Sequence, residues 1–325
     1  MSNTKHQVLL QLIAHPEGIS GQAIAERLFV VRNGVWKAIE SLRRDGYDIR
    51  GAAGDGYKIH WGEDDGALSA PSIRRQLKHN EQFHLELHDS IDSTNTRAKA
   101  LAQSGAPPFT AVISAEQTAG RGRAGRSFHS PVGGVYVSII LPTAVEGIRL
   151  HELGGLITAF TAVAASRAIG EVSGLQVGIK WVNDLFIGGR KLCGILTEGG
   201  GDMESGSFSY IVVGVGINTH KTELPAELAT IATDIESECG TSVSRSLLVG
   251  RLLDQFADFE SQLVTRSFMD EYRSRSVLLG REITVHRGSD CFAAKAVDID
   301  NNGALIVSVD GVLQTINSGE VSVRL

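Results

Sequence analysis

Three arginines lie within six residues, at Arg121, Arg123 and Arg126, and glycine or alanine fills every position between them. Glycine lets the backbone adopt positive φ and approach a ligand closely. Arginine presents an always-charged planar fork of donors that suits carboxylate and phosphate. The stretch from Glu116 to Arg126 therefore predicts a loop that encloses an anion. Disordered segments that bind RNA without sequence preference have the same composition, so the rest of the chain must distinguish these interpretations.

A second group of charged residues is predicted on one face of a β-hairpin. A strand over residues 177–187, a two-residue glycine turn and a return strand fit the sequence. Side chains alternate along a strand, so Lys180 and Asp184 share a face, and pairing across the turn adds Lys191 to it. Two ammonium groups and a carboxylate could bind a phosphate and its metal ion. The alternative is a solvated polar face with an ion pair worth about 0–1 kcal/mol.

Two glycines in a later strand suggest a slot for a flat ligand. Gly214 and Gly216 alternate onto the same face as Asn218 in the predicted strand Ser209–Asn218. Glycine in a strand interior often marks the close approach of a ligand or of another backbone. Asn218 could then pair with a planar base, or the glycines could simply accommodate a tightly packed helix.

Small polar residues precede a helix that is predicted to end near Gln103. Ser93 or Thr94 is a suitable N-cap for this helix. The spare N–H groups of a helix N-terminus can bind a polar or anionic ligand. An ordinary helix cap is the alternative interpretation.

The first sixty residues predict three short helices and a β-hairpin around Gly54-Asp55-Gly56. These are the parts of a winged helix-turn-helix, in which the second helix of the pair enters the DNA major groove. The span from Arg32 to Arg44, which forms this helix, holds four basic residues and one acidic residue. The alternative is a small interaction domain with an ordinary charged helix face.

Composition limits the class of protein. A net charge of −6 over 325 residues excludes a protein that coats nucleic acid along its whole surface, so any DNA contact must be local. Three widely spaced cysteines favour a reducing cytoplasm and offer no metal-ligand spacing. The N-terminus lacks the apolar core of a signal peptide, and the longest uncharged stretch is too short to span a bilayer. A cytoplasmic protein without a membrane partner is predicted.

The order of the predicted elements indicates an α+β chain of three domains. A winged helix-turn-helix domain is predicted over residues 1–65. A central domain over residues 66–276 combines a mixed sheet with helices, among them a long buried helix at Arg149–Ala168. Short strands separated by hairpin turns predict a small β-barrel over residues 277–325.

Four motifs, in this order and spacing, resemble those of the bifunctional biotin protein ligases that also repress the biotin operon. Phe128 stands where that family has Trp, and Val182 where it has Pro. The third helix also resembles the family's recognition helix, with Phe29 and Val31 where Gly and Ser are usual. The four motifs are Gly120–Pro131, Lys180–Asp184, Arg190–Gly194 and Gly214–Asn218.

The resemblance implies roles for individual residues. Catalytic roles fall on Lys191, Arg121, Arg123, Lys180 and Asp184. Biotin contacts fall on Ser93, Thr94, Asn95, Gln117, Arg121, Gly122, Arg123, Lys191, Gly214 and Gly216. ATP or adenylate contacts fall on Arg121, Arg123, Lys180, Asn183 and Asn218, and DNA contacts on Arg32, Asn33, Trp36, Lys37 and Arg43. Asp184 would also hold Mg²⁺.

The resemblance further implies a central domain like that of class II synthetases and an SH3-like C-terminal barrel. The implied enzyme activates biotin with ATP to biotinyl-5′-AMP and transfers it to a lysine of a biotin carboxyl carrier protein. The adenylate would also promote a homodimer that binds operator DNA. Two alternatives are a lipoate or octanoyl ligase of the same superfamily and a biotin-sensing transcription factor with an inactive ligase domain.

Overall fold

The structure is a computed structural model. It describes residues 3–44, 47–52, 56–61, 68–202, 207–221, 225–287, 290–317 and 320–323. Three predicted features lie outside these ranges: Gly46 as the end of the third helix, Gly54 and Asp55 in the hairpin turn, and the boundary at residues 65 and 66.

The N-terminal region consists of three helices and a two-stranded antiparallel sheet, as predicted. Ser20 caps the second helix by accepting a 3.0 Å hydrogen bond from the Ala23 N–H. The apolar faces meet in a separate core that includes Leu12, Ile24 and Ile39. The elements are α1 (Asn3–Ala14), α2 (Gly21–Leu28), α3 (Arg32–Arg44), β1 (Asp48–Ala52) and β2 (Gly56–His60).

A seven-stranded mixed sheet forms the centre of the molecule, in the order β3-β4-β5-β11-β10-β9-β8. Strands β3 and β4 are parallel, and the other neighbours are antiparallel. The strands are β3 (His84–His88), β4 (Thr110–Ser114), β5 (Val135–Leu141), β8 (Gly178–Lys180), β9 (Asp184–Ile187), β10 (Arg190–Asp202) and β11 (Ser207–Ile217), with a separate ribbon of β6 (Ala144–Val145) and β7 (Ile148–Arg149).

Helices cover both faces of this sheet because alternate strand residues are apolar on each side. Ala98 of α5 packs against Val112, Ile140 and Val212 on one face. The helices on the other face build the main core with α6 at its centre. The helices are α4 (Ala70–Gln76), α5 (Thr94–Gln103), α6 (Gly154–Ser173), α7 (Ala226–Ala229), α8 (Ile235–Cys239), α9 (Arg245–Gln255), α10 (Phe259–Thr265) and α11 (Met269–Ser274).

The C-terminal region is a five-stranded antiparallel sheet in the order β15-β14-β13-β12-β16, which agrees with the predicted small barrel of short strands. It docks on the central region through the Trp181 indole, whose Nε1–H donates a 2.9 Å hydrogen bond to the Gly303 carbonyl. The strands are β12 (Glu282–Arg287), β13 (Asp290–Ile299), β14 (Leu305–Val309), β15 (Val312–Ile316) and β16 (Glu320–Val323).

Two predicted elements are wrong in extent. The strand expected over residues 177–187 is two antiparallel strands, because the chain reverses at residues 181–183 and pairs Lys180 directly with Asp184. The long buried helix begins at Gly154, later than expected, after a short 3₁₀ turn.

The helix α6 is long and apolar enough to cross a membrane, judged by its length and composition alone. However, 72% of its most apolar stretch is buried inside the protein, as in a core helix.

The N-terminal region contacts the central region through the buried His6 ring. The imidazole of His6 on α1 is fully buried, and its centroid lies 4.0 Å from that of His84 on β3. The guanidinium of Arg74, also buried, donates hydrogen bonds to the carbonyls of Asn80 and Phe83 at 2.8 and 2.7 Å. Burial, the charge of His84 and that of Arg74, in this order, lower the pKa of His6 from 6.5 to about 4.

This contact predicts a pH dependence of stability. Between pH 6.5 and about 4 the unfolded chain protonates His6, whereas the folded protein does not, so the free energy of unfolding falls as the pH falls through this window. We expect His6→Leu to flatten the dependence of Tm on pH from 7 to 4, measured on the full-length protein. The exposed His79 provides the matched control His79→Leu, which should retain the wild-type slope. A wild-type slope in His6→Leu would contradict this assignment.

Candidate active site

One cavity gathers residues from distant segments of the sequence. It lies between the N-terminus of α5, the arginine loop, the β8–β9 turn and the centres of β10 and β11. Predicted residues that line it are Ser93, Thr94, Asn95, Gln117, Arg121, Gly122, Arg123, Lys180, Asn183, Asp184, Lys191, Gly214 and Gly216.

Asn218 is the predicted nucleotide contact that does not line this cavity. Its side-chain amide donates a 2.9 Å hydrogen bond to the Thr233 carbonyl, and its backbone N–H donates to the Leu192 carbonyl at 3.0 Å. In this conformation Asn218 holds the segment before α8 against the end of β11.

One end of the cavity is a buried pocket of hydroxyl and amide groups. Ser93 caps α5 as predicted, through a 3.4 Å bond from the Thr96 N–H. The Thr94 N–H and hydroxyl both donate to Gln117 Oε1, at 2.9 and 3.1 Å. Ser93 and Thr94 are almost fully buried. Neutral donors and acceptors fixed in this way suit a polar, uncharged ring such as a cyclic urea.

Asn95 explains the glycine at position 214. Its Oδ1 accepts a 2.5 Å bond from the Ser138 hydroxyl, and its Nδ2 donates 2.9 Å to Glu198. A Cβ on Gly214 would overlap the Asn95 amide. The glycine therefore allows a helix side chain to pack closely on the sheet, which was the alternative interpretation of the strand glycines.

Phe128 occupies the space above the other glycines. A Cβ on Gly216 would lie 2.5 Å from the Phe128 ring, and a Cβ on Gly194 would lie 2.9 Å from it. The Lys191 Nζ lies 5.7 Å from the ring centroid. The Phe128 ring also meets Tyr136 edge-on, with centroids 6.4 Å apart. The arginine loop thus places an aromatic side chain over β10 and β11.

At the charged end of the cavity, the pairing of β9 with β10 across the turn confirms the predicted geometry of the hairpin. Lys191 pairs with Phe186 in the register, and its Nζ lies 2.7 Å from Asp184 Oδ1. Arg123 reaches the same place from the arginine loop, where its Nη1–H donates 3.1 Å to Asn183 Oδ1. A backbone bond of 2.8 Å from the Lys191 N–H to the Ile231 carbonyl fixes the strand.

Glu198 does not line the cavity but supports residues that do, and the sequence did not identify it. Its carboxylate lies 2.9 Å from Lys99 Nζ and 3.3 Å from Arg121 Nη2, besides the bond from Asn95. Burial raises its pKa, but the hydrogen bonds from Asn95 and Lys99 and the charges of Lys99 and Arg121 outweigh burial, so the pKa lies below the usual value. Glu198 is therefore ionised at neutral pH and holds Arg121 at the cavity.

The metal prediction rests on Asp184 alone. Within the described residues, no group of three or more His, Cys, Asp or Glu side chains is placed to hold a metal ion. Magnesium, however, usually needs only one or two protein carboxylates when substrate phosphates and water complete its coordination. The residues at the site therefore fit a magnesium ion that arrives with a nucleotide.

The winged helix-turn-helix exposes all five of its predicted DNA contacts to solvent. Arg32, Asn33, Trp36 and Lys37 lie in the first two turns of α3. Arg43, in the last turn, differs from them because it is held by the protein itself. Its Nε–H donates 2.9 Å to the Ile49 carbonyl, and its Nη1 pairs with Glu40 at 2.6 Å.

Comparison with known proteins agrees with this architecture. Residues 87–218 match the family model of the biotin/lipoate A/B protein ligases, residues 4–58 that of an HTH domain, and residues 278–324 that of the biotin protein ligase C-terminal domain. The bifunctional ligase/repressor BirA of Bacillus subtilis is 33% identical over 330 residues, which cover 99% of both chains. Its counterpart in Escherichia coli K12 is 27% identical over 331 residues, 99% of this chain and 98% of that protein.

Solved structures give the same result for the central and C-terminal regions. The biotin protein ligase of Aquifex aeolicus, in complex with biotin and ATP, superposes with a TM-score of 0.62 at 26% identity. It covers 74% of this chain and 98% of that protein. The chain therefore belongs to the biotin protein ligase family, in its bifunctional ligase/repressor form.

The contact between Asn95 and Gly214 predicts the effect of adding one methyl group. Gly214→Ala should displace Asn95, break its bonds to Ser138 and Glu198, and weaken biotin binding at least tenfold in calorimetry. Overpacking of this kind typically costs about 1–3 kcal/mol of stability. Gly154→Ala is the control, because no atom lies within 4 Å of the added methyl group. Biotin affinity at the wild-type level in Gly214→Ala would disprove the role of this contact.

Proposed function

We propose that this protein is an ATP-dependent biotin protein ligase that also represses transcription. The observation that carries the ligase activity is the juxtaposition of Lys191 and Asp184, 2.7 Å apart, with the arginine loop and a buried neutral pocket in one cavity. The neutral pocket suits the ureido ring of biotin, and the cations suit its carboxylate and the α-phosphate of ATP. The acceptor is a lysine of a biotin carboxyl carrier protein.

The chemistry requires that two anions meet. In the first step the biotin carboxylate attacks the α-phosphate and pyrophosphate leaves. Arg121, Arg123 and Lys191 lower the repulsion between the reactants and hold them in line, which is positioning combined with electrostatic stabilisation. In the second step the carrier lysine attacks the mixed anhydride and AMP leaves. No covalent intermediate with the enzyme is required.

Asp184 is the residue that would hold a magnesium ion, which would supply further charge neutralisation on the nucleotide phosphates. Lys180 and Asn183 lie beside Asp184 in the β8–β9 turn and provide a cation and an amide for the phosphates. Adenylate binding would separate Lys191 from Asp184, because the lysine then pairs with ligand oxygens. The arginine loop closes over the adenylate and excludes water.

The repressor activity is assigned to residues 1–65, the ligase to residues 66–276 and a supporting role to the barrel over residues 277–325. Exposed Arg32, Asn33, Trp36 and Lys37 are the proposed contacts with operator DNA. We place the protein in the cytoplasm, where ATP, carrier protein and DNA are available. A lipoate or octanoyl ligase is disfavoured by the winged helix and the complete arginine loop, and a ligand sensor without activity is disfavoured by the intact set of Lys180, Asp184 and Lys191.

Removal of the Lys191 ammonium tests the ligase activity. We expect Lys191→Ala to reduce ATP- and biotin-dependent pyrophosphate release by a factor of about 10²–10³, the effect typical of one stabilising group. The fold should persist, since the side chain is 32% exposed and outside the core. The exposed residue Lys78, remote from the cavity, provides the control Lys78→Ala. Pyrophosphate release at the wild-type rate in Lys191→Ala would refute the proposed role.

The repressor activity predicts that binding of biotinyl-AMP and binding of operator DNA strengthen each other. One winged helix can neutralise only a few phosphates. Each neutralised phosphate contributes roughly −0.9 to the slope of the logarithm of the binding constant against the logarithm of the salt concentration. A monomer of this acidic protein should therefore bind weakly, and specific binding should need two copies on a palindrome. We expect biotinyl-AMP to strengthen both dimerisation and operator binding at least tenfold, in sedimentation and footprinting. Equal operator affinity with and without biotinyl-AMP would show that biotinyl-AMP does not control DNA binding by this ligase.

A further inference from the structure

The turn between α2 and α3 exposes large apolar side chains. Phe29 is 96% exposed, Val31 is 74% exposed, and Trp36 in the second turn of α3 is 52% exposed. Phe29 is the most exposed large hydrophobic residue in the described part of the chain. Scattered exposed apolar residues are normal, whereas a contiguous exposed apolar patch marks an interaction site. These three side chains lie within eight residues of the chain, from Phe29 to Trp36.

The backbone at Phe29 is unfavourable for this residue type. Its φ and ψ of 53° and 42° lie in the left-handed region, where it ends α2. Glycine is the usual residue at such a helix end, and a bulky side chain with positive φ is an outlier. Because the ring is exposed, burial does not offset this cost. Packing of the Phe29 ring therefore adds little to the stability of the free protein.

Charge indicates what covers this surface. Arg32 and Lys37 flank Trp36 on the exposed side of α3, and the helix holds four basic residues against one acidic residue. An apolar surface bordered by cations suits an anionic partner that also presents apolar groups. The DNA major groove is such a partner, since its phosphates border thymine 5-methyl groups on the groove floor. The N-terminal residues of a recognition helix are the ones that reach this floor.

We propose that Phe29 and Val31 contact thymine methyl groups in the major groove and make each operator half-site specific for thymine. The proposal rests on the repressor function proposed above. Phe29 is then a specificity residue, retained at a conformational cost to the free protein. Val31 would contribute beside it, because its side chain lies over the first turn of α3, near Gly34.

The test uses the full-length protein with biotinyl-AMP and a duplex selected from a randomised library. The same duplex is then synthesised with deoxyuridine in place of thymidine, which removes only the methyl groups. We expect binding to weaken about fourfold for each contacted methyl, the factor expected for one buried carbon group. Failure to select any duplex would overturn the repressor function and this contact together. If a duplex is selected but its thymidine and deoxyuridine versions bind with equal affinity, the thymine contact alone is overturned.

Variants separate side-chain contact from changes in DNA shape. Phe29→Gly should be at least as thermally stable as wild type, yet lose much of the preference for thymidine over deoxyuridine. Lys37→Ala is the matched control: it should weaken both duplexes alike and keep the preference. Leu313→Ala, which truncates a 64% exposed side chain in the barrel, should change neither. If Phe29→Gly keeps the wild-type preference for thymidine over deoxyuridine, the proposal is overturned. If Phe29→Gly no longer forms the adenylate-induced dimer in sedimentation, the proposal is also overturned, and Phe29 instead makes a protein contact.

Discussion

The packing of Asn95 on Gly214 is the contact on which the rest of the site depends. The amide is buried and joins three strands, because it bonds Ser138 on β5, Glu198 on β10 and lies against Gly214 on β11. Glu198 in turn holds Arg121 at 3.3 Å. One asparagine therefore connects the neutral pocket at the start of α5 with the arginine loop. The two halves of the site, one for an uncharged ring and one for anions, share this single support.

Four cations at or beside the site have partners within the protein. Lys191 is paired with Asp184, Arg121 and Lys99 with Glu198, and Arg123 with the Asn183 amide. An unpaired charge in a half-buried cleft would be costly, so these partners stabilise the charged side chains. Lys191, Arg121 and Lys99 pair with carboxylates, whereas Arg123 bonds a neutral amide oxygen. These cations are gathered at one site of a protein whose overall charge is −6.

Local patterns in the sequence determined much of this protein. Hydrophobic spacing predicted the short helices and Ser93 was predicted to cap α5, because helix starts depend on residues close in the chain. The two-glycine turn placed Lys191 opposite Phe186, since turn length sets hairpin register. Spaced glycines and arginines predicted an anion site, and every residue proposed for catalysis, biotin or ATP except Asn218 lines one cavity.

Tertiary structure alone decided which of these residues meet and how. The chain reverses at residues 181–183, within a stretch expected to be one strand, and Trp181 in this turn bonds the Gly303 carbonyl of the barrel. Glu198 belongs to the site only because Asn95, Lys99 and Arg121 converge on it from elements far apart in sequence. Asn218 is turned to Thr233, a residue that no local pattern places beside it. Sequence periodicity shows which face of an element is buried, whereas the partners of a buried polar group depend on how distant elements pack.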